Sequence, residues 1–236
     1  MDMIRVGVYI DYGNVYHGAR DAFNLHSEQG YVGNVNPMYL AKRVALQSPE
    51  PGAPQRNKTH TLAYAKVFRG APDPNREPHA ALMEAKRAAQ WERSGCQVIR
   101  HSVDYARGNP VEKGIDVKVA TTLMKDAMKR EAEVFVLVSA DKDFTPALND
   151  IRDVGIEVET AIWVAIPGAQ AVGRIRLEAD RQDLGPAPFH GLSRSDFGRV
   201  KDEIDYRYQP LPPGWNAAIP ASAHRTDSRQ IRGSRW

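Results

Sequence analysis

Four aspartates stand where their carboxylates could act together: Asp11, Asp116, Asp141 and Asp143. Asp11 ends a mostly apolar, β-branched run, and Asp141 and Asp143 follow a second such run, Val134–Val138. Two acids spaced two residues apart beside a buried strand repel each other, and a bound divalent cation relieves that repulsion. Carboxylate oxygens are the ligands that Mg²⁺ and Mn²⁺ prefer, so the pattern predicts a site for one of these metals.

Each of these polar residues also has an ordinary structural interpretation. Asp143 could cap a helix that begins at Phe144, and Asn14 could cap one that begins at Val15, because Asp and Asn favour helix N-caps and turns. Asp116 begins a helix whose apolar positions should pack on the sheet, so we expect it on the buried side, near the positive helix terminus. We favour the shared site because the ends of parallel strands meet at one edge of a sheet.

Motifs of several other chemistries are missing from the sequence. The seven histidines show no HxH or HxxxH pairing, which argues against zinc. Cys96 is the only cysteine, which excludes an intramolecular disulfide and a cysteine-based metal site. We find no Walker A sequence, no GxGxxG after the first strand and no GxSxG elbow. Carboxylate–metal chemistry remains, and its commonest use is the attack of water on a phosphodiester.

Alternating strand-like and helical segments would position these residues. The strand-like runs are Ile4–Ile10, Leu62–Phe68, Gln97–Arg100, Val134–Val138 and Ile156–Ala161, and the helical stretches are Val15–Phe23, Pro37–Leu46, His79–Ser94, Asp116–Arg130 and Phe144–Val154. This alternation predicts an α/β fold with a central parallel sheet and helices on both faces. Gly95 and Gly155 follow two of the helical runs, where a left-handed residue commonly ends a helix.

The composition is that of one globular domain with appendages. The chain has 236 residues, of which 42% are hydrophobic and 26% are charged. The amino terminus is similar to a first strand rather than to a signal peptide. No apolar run approaches the ~18 residues of a membrane span, so no membrane partner is expected. A single cysteine favours a cytoplasmic location, and the sequence leaves open whether the chain forms a homo-oligomer.

The segments outside the alternating pattern are rich in proline and polar residues. Residues 47–60 and 69–78 are predicted to be loops. Residues 209–236 contain four arginines and one aspartate, so this segment carries the whole net charge of +3. We expect 209–236 to be a disordered basic tail that helps to bind polyanions, and 185–208 to be a C-terminal extension of the main domain.

Three short motifs, in this order along the chain, resemble those of the NYN domain family, the PIN-like ribonuclease group that includes LabA-type proteins. They are D-x-x-N at Asp11–Asn14, K-G-x-D at Lys113–Asp116 and S-x-D-x-D-F at Ser139–Phe144. Leu177–Asp180 is similar to the closing segment of such domains, which places the domain at residues 1–184. The resemblance implies a Rossmann-like three-layer sandwich, PIN-like, with the strand order 3-2-1-4-5.

The resemblance also implies functional roles. The four aspartates would ligate the metal, and Asn14 and Ser139 would help to shape the site. One position departs from the family pattern, because many relatives carry an acid six residues after the helix aspartate and this chain has Thr122 there. Asp126 lies four residues further on, and we expect that it does not replace the missing acid.

Two functions remain open at this point. In a metal-dependent ribonuclease, the aspartates would hold Mg²⁺ or Mn²⁺ and Asp143 would ligate a metal or position the attacking water. The RNA backbone would then meet Lys113, Lys142 and Arg69. The alternative is a binding or regulatory module with the same fold that cleaves RNA slowly or not at all, which Thr122 and the uncharged body of the chain favour. A phosphatase is a weaker candidate, because the first strand does not end in D-x-D-x-[TV].

Overall fold

A computed structural model describes residues 3–47, 49, 60–106, 111–165, 188–211 and 215. Its centre is one parallel sheet of six strands in the order β3-β2-β1-β4-β5-β6. The strands are β1 Ile4–Asp11, β2 His60–Ala71, β3 Cys96–Ser102, β4 Val134–Val138, β5 Glu157–Trp163 and β6 Phe189–Leu192. The helices are α1 Tyr12–Ala22, α2 Pro37–Leu46, α3 Pro78–Arg93, α4 Ile115–Met128, α5 Thr145–Asp153 and α6 Arg194–Val200.

The predicted α/β class and the strand order 3-2-1-4-5 are confirmed, and a sixth strand extends the sheet. β6 was not predicted, because four residues with a central glycine carry too little periodicity to identify a strand. It pairs with β5 from Thr160↔Phe189 onward, so part of the predicted extension 185–208 belongs to the sheet. The predicted loop 69–78 is shorter than expected, since β2 continues to Ala71. Of the predicted tail, only 209–211 and 215 lie among the described residues.

The central strands are covered by helices on both faces. One core contains β1 residues Val6, Val8 and Ile10 together with buried residues of α1, α2 and α3. The other contains Tyr9 of β1 and the apolar stripes of α4 and α5. The predicted helix ends are confirmed at two glycines, with φ of 100° at position 95 and 75° at position 155. Within the described ranges, no helix is both long and apolar enough to cross a membrane.

A buried polar network fastens α4 to the sheet. The Tyr9 hydroxyl donates to Asp126 Oδ2 at 2.7 Å, and the two hydroxyls of Tyr9 and Tyr64 lie 2.9 Å apart. The Lys66 ammonium also donates to Asp126, and both side chains are almost wholly buried. Asp126 is therefore committed to a structural ion pair, as expected for a residue that does not replace the acid missing at Thr122.

Replacing Asp126 with alanine should lower the free energy of unfolding by about 3–5 kcal/mol, because a buried Lys66 ammonium would lose its partner. Urea unfolding at neutral pH measures the change. A matched double variant, Lys66→Met with Asp126→Leu, replaces the pair by apolar side chains and should recover most of the loss. If Asp126→Ala were as stable as the wild type, the ion pair would not hold α4 in place.

Candidate active site

The candidate site lies at the carboxyl ends of β1 and β4, on either side of the point where the strand order reverses. β2 and β3 extend the sheet to one side of this point, and β5 and β6 extend it to the other. Parallel α/β sheets open a crevice at such a switch point, outside the carboxyl ends of the strands. Ile10 of β1 is paired with Val138 of β4, so Asp11 and Ser139 follow at the same edge.

Asp11 is held at the floor of this crevice. It is only 7% exposed, and its Oδ1 accepts the backbone N–H of Asn14 at 3.2 Å, which caps α1. Its Oδ2 accepts the Ser139 hydroxyl at 3.2 Å. The cap of this helix is thus Asp11 and not Asn14, and α1 begins at Tyr12, earlier than the predicted Val15, because the capping aspartate is also the last residue of β1.

Asn14 and Ser139 fix the spacing between the two strand ends. The Asn14 side-chain oxygen accepts the backbone N–H of Ala140 at 2.8 Å. The Ser139 hydroxyl, which donates to Asp11, also accepts the backbone N–H of Asp141 at 3.2 Å. These contacts join the end of β1 to the turn after β4, so both residues can shape the site as the family resemblance implies.

Asp141 and Asp143 occupy the turn between β4 and α5. Asp141 Oδ1 accepts the backbone N–H of Asp143 at 2.9 Å and caps a 3₁₀ turn, Lys142–Phe144, that leads into α5. The capping role considered for Asp143 therefore belongs to Asp141. The side chain of Asp143 is exposed and that of Asp141 is half-buried. Lys142, which lies between them in the chain, is also exposed.

Asp116 reaches the same crevice from the first turn of α4. It is exposed, so the expectation of a buried position was wrong: Ile115 takes the buried place, and the stripe that follows packs on the sheet. Although the side chain reaches solvent, desolvation by the surrounding crevice raises the pKa of Asp116. The negative charges of Asp141 and Asp143 raise this pKa further, so the three carboxylates lie close enough to repel one another.

Burial is also the main influence on Asp11. It raises the pKa of Asp11 to about 6, and the charges of Asp116 and Glu112 add to this effect. The hydrogen bonds that Asp11 accepts from Asn14 and Ser139 oppose the shift only in part. The acids therefore repel one another in sequence: the charge of Asp116 acts on Asp11, and the charges of the two acids after β4 act on Asp116.

Glu112 is a fifth acid at this site that the sequence motifs did not identify. It lies on the loop between β3 and α4, and its Oε1 accepts the backbone N–H of Gly70 at 3.0 Å, at the end of β2. Its charge acts on Asp11 across the mouth of the crevice. The available signal was its position, directly before the Lys113–Asp116 motif, but a motif comparison considers only the motif positions themselves.

The three basic residues predicted to meet RNA have different surroundings. Lys142 is exposed beside the acids, and Lys113 is exposed but forms an ion pair with Asp104. Arg69 is paired with the buried Glu84, and its guanidinium lies 4.7 Å from the centre of the Tyr12 ring. The prediction for Arg69 needs correction, because a guanidinium held inside the protein is poorly placed to contact a phosphate outside it.

The donor types at the crevice suit a hard divalent cation, although the side chains do not form a finished coordination shell. Across the residues that the structure describes, no group of three or more His, Cys, Asp or Glu side chains is arranged to hold a metal ion. The carboxylates offer only oxygen ligands, as Mg²⁺ and Mn²⁺ require. Burial and, to a smaller extent, the neighbouring acids raise the pKa values of Asp11 and Asp116, and a bound dication would favour the charged form of both carboxylates. The residues therefore fit such a metal in type and in charge.

The six-stranded parallel sheet with the order 3-2-1-4-5-6 and helices on both faces fits the PIN-like class of α/β folds. Residues 5–172 match the NYN domain, and because this match covers more than half of the chain, the protein belongs to the NYN domain family. The similarity predicted at Leu177–Asp180 lies outside both the matched range and the described residues.

Two further comparisons add little to this assignment. A crystal structure of a protein of unknown function from Vibrio parahaemolyticus RIMD 2210633 is similar, at 19% sequence identity and a TM-score of 0.44, over 67% of this chain and 81% of that one. A similarity of this size carries no functional argument. A search of curated proteins returned no significant match.

Replacing Asp11 with asparagine should stabilise the metal-free protein above pH 6. The folded-state pKa of about 6 exceeds the ordinary value of 3.8. The wild type therefore loses stability as the pH rises from the ordinary pKa to the folded-state pKa, because Asp11 must ionise inside the folded protein. The variant should gain about 1–3 kcal/mol at pH 7 and lose that advantage as the pH falls towards 4, since its side-chain oxygen can still cap α1. Denaturant unfolding in EDTA across this range measures the difference, and a gain that does not change with pH would contradict the raised pKa.

Proposed function

We propose that this member of a PIN-like nuclease family is a divalent-metal-dependent ribonuclease that hydrolyses phosphodiester bonds at the crevice between β1 and β4. One observation supports this most: acids from β1, from the start of α4 and from the β4–α5 turn converge at one crevice. Burial and the charge of Asp116 raise the pKa of Asp11, and burial and the repulsive charges of Asp141 and Asp143 raise the pKa of Asp116. Folding alone gains nothing from such repulsion. A bound divalent cation would neutralise these acids and make their arrangement favourable.

The four aspartates are the residues that would hold Mg²⁺ or Mn²⁺. Such a metal supplies an acidified water and neutralises charge that develops on the phosphate. Asp11 is oriented by its two hydrogen bonds, and Asn14 and Ser139 keep Asp141 at a fixed distance from it. Asp143 is exposed and can accept a proton from the attacking water.

Basic side chains at the rim would receive the RNA backbone. Lys142 stands between the two acids of the β4–α5 turn, and Lys113 stands three residues before Asp116. Both are exposed, so each can contribute a salt-dependent phosphate contact.

A binding or regulatory module with the same fold is the second candidate. It is favoured by Thr122 at the position where many relatives carry an acid, and by Asp126, which is occupied by Lys66 and cannot move to that place. The unfinished coordination shell is compatible with either function, because side chains at metal sites can adjust when the metal binds.

Purified protein incubated with mixed RNA and Mn²⁺ should cleave the RNA, and EDTA should stop the reaction. Asp141→Asn is the matched control, because its side-chain oxygen can still accept the Asp143 N–H that caps the turn. Activity should fall at least about 100-fold, since even residues one step removed from a metal usually cost 10–100-fold when changed. Single-stranded DNA in a parallel reaction distinguishes RNA from DNA as substrate. RNA that stays intact but bound in all reactions would favour the binding module.

Millimolar Mn²⁺ or Mg²⁺ should raise the melting temperature, because a ligand that binds only the native state stabilises it. Asp141→Asn should lose most of this increase while melting close to the wild type in EDTA, since it retains the cap and loses a repulsive charge. Asp21→Asn, which removes an exposed acid from the far end of α1, is the control that should keep the full increase. Identical curves with and without metal for the wild type would end the metal hypothesis.

A further inference from the structure

The Glu112 carboxylate occupies a small cradle between the ends of β1 and β2. Its Oε1 accepts the N–H of Gly70, and a Cβ atom added to Gly70 would lie only 2.3 Å from that oxygen. A Cβ atom added to Gly13 would lie 3.4 Å from Glu112 Oε2 and 3.7 Å from Asp11 Oδ1. A side chain at position 70 would collide with the Glu112 carboxylate, whereas a Cβ atom at position 13 would only touch it. The absence of a side chain at Gly70 therefore makes room for an anionic group close to Asp11.

Backbone conformation does not explain why these two positions are glycine. The φ angles of Gly13 and Gly70 lie outside the left-handed region, whereas Gly114, at the start of α4, has a φ of 77°. Alanine could adopt the backbone conformation at either position, so open space is what glycine provides at position 70, where a Cβ atom would overlap Glu112.

Positive charge lies on the β2–β3 side of the cradle. Arg69 directly precedes Gly70 on β2, and Arg69 is paired in register with Arg100 on β3. These two arginines and Arg87 act together on the single buried acid Glu84, so three cations surround one carboxylate. Burial opposes the raised pKa of Arg69, and the charges of Glu84, Tyr12 and Glu112 together outweigh it, so Glu112 also interacts with this group. An anion in the cradle is thus attracted from this side, as well as by the backbone N–H.

Glu112 itself is a poor permanent occupant of the cradle. Its charge faces Asp11 and adds to the repulsion in the crevice. A neutral glutamine would accept the same Gly70 hydrogen bond without that cost. The residue as a whole is exposed, so a rotation of its side chain would empty the cradle without disturbing the core.

We propose that the cradle of Gly13 and Gly70 is a subsite for a backbone phosphate of the nucleic-acid substrate, and that Glu112 is a displaceable occupant that stands in for this phosphate. Phosphate and carboxylate oxygens both accept hydrogen bonds from backbone N–H groups. The proposal rests on the proposed function and deepens it, because it places a phosphate that neighbours the scissile one on the β2 side of Asp11. The substrate strand would then cross the sheet edge from β2 towards β4.

Fluorescence anisotropy with a labelled single-stranded RNA in EDTA, at one low salt concentration, tests the subsite without any need for cleavage. Glu112→Ala empties the cradle and should tighten binding about tenfold, the equivalent of one charge-assisted hydrogen bond. Glu112→Gln should gain less, because its amide oxygen still competes for the Gly70 N–H. Adding Gly70→Ala to Glu112→Ala should cancel the gain, since the new methyl group would fill the emptied space. If that double variant does not fold, Gly13→Leu is the second blocking change, because a methyl group at position 13 would only touch the occupant and a longer side chain can reach into the cradle.

The outcomes separate the subsite from simpler explanations. Equal gains for the alanine and glutamine variants, with no effect of Gly70→Ala, would show that only the loss of a charge matters and would overturn the proposal. Weaker binding by Glu112→Ala, or no binding by any variant, would overturn it as well. The expected binding pattern without RNA cleavage in Mn²⁺ would support the subsite and refute only the nuclease function.

Discussion

The burial of Asp11 beside other acids, with Asp116 of α4 between it and the acids after β4, is the constraint on which the rest of the site depends. Asp11 must be buried to sit at the switch point, and burial together with its acidic neighbours raises its pKa to about 6. The protein tolerates this cost because the hydrogen bonds that Asp11 accepts from Asn14 and Ser139 hold its side chain in place. Hydrogen bonds of Asn14 and Ser139 join the two strand ends, and the two bonds that Asp11 accepts from these residues also orient its carboxylate. The same contacts that stabilise the edge of the sheet therefore concentrate negative charge on it.

The remainder of the fold supplies the rigidity that this arrangement requires. β1 is covered on both faces, so the end of the strand cannot shift without disturbing two cores. The ion pair of Lys66 with Asp126 fixes α4 against β1 and β2, and Asp116 stands in the first turn of that helix. Asp126, a structural acid in the last turn of α4, thus supports Asp116, the candidate functional acid at its start. The two carboxylates have different roles because Asp126 has the buried cation Lys66 as its partner, whereas Asp116 has acidic neighbours.

Much of this arrangement could be predicted from the sequence, and the failures have physical causes. Apolar runs such as Val134–Val138 are buried on both sides and identify strands, whereas β6 is too short and too mixed to do so. Helix boundaries near Asp11 were misplaced because one residue ends the strand and caps the helix. Arg69 was misjudged because a sequence shows its charge but not its buried partner Glu84. Glu112 was missed because its importance comes from Gly70, which lies far away in the chain.

The parallel pairing of β1 with both β2 and β4 has a consequence for the order in which the protein forms. Ile4 of β1 pairs with His60 of β2, and Ile10 pairs with Val138 of β4. β1 can therefore pair only after these two strands, which lie far along the chain, have been synthesised. Contacts between such distant segments close large loops and make folding slow. During synthesis, Asp11 leaves the ribosome long before Asp141, and an incomplete chain lacks one wall of the crevice. The acidic centre is thus assembled only when the sheet around it is nearly complete, which keeps a nascent chain free of the charge repulsion that the finished protein must bear.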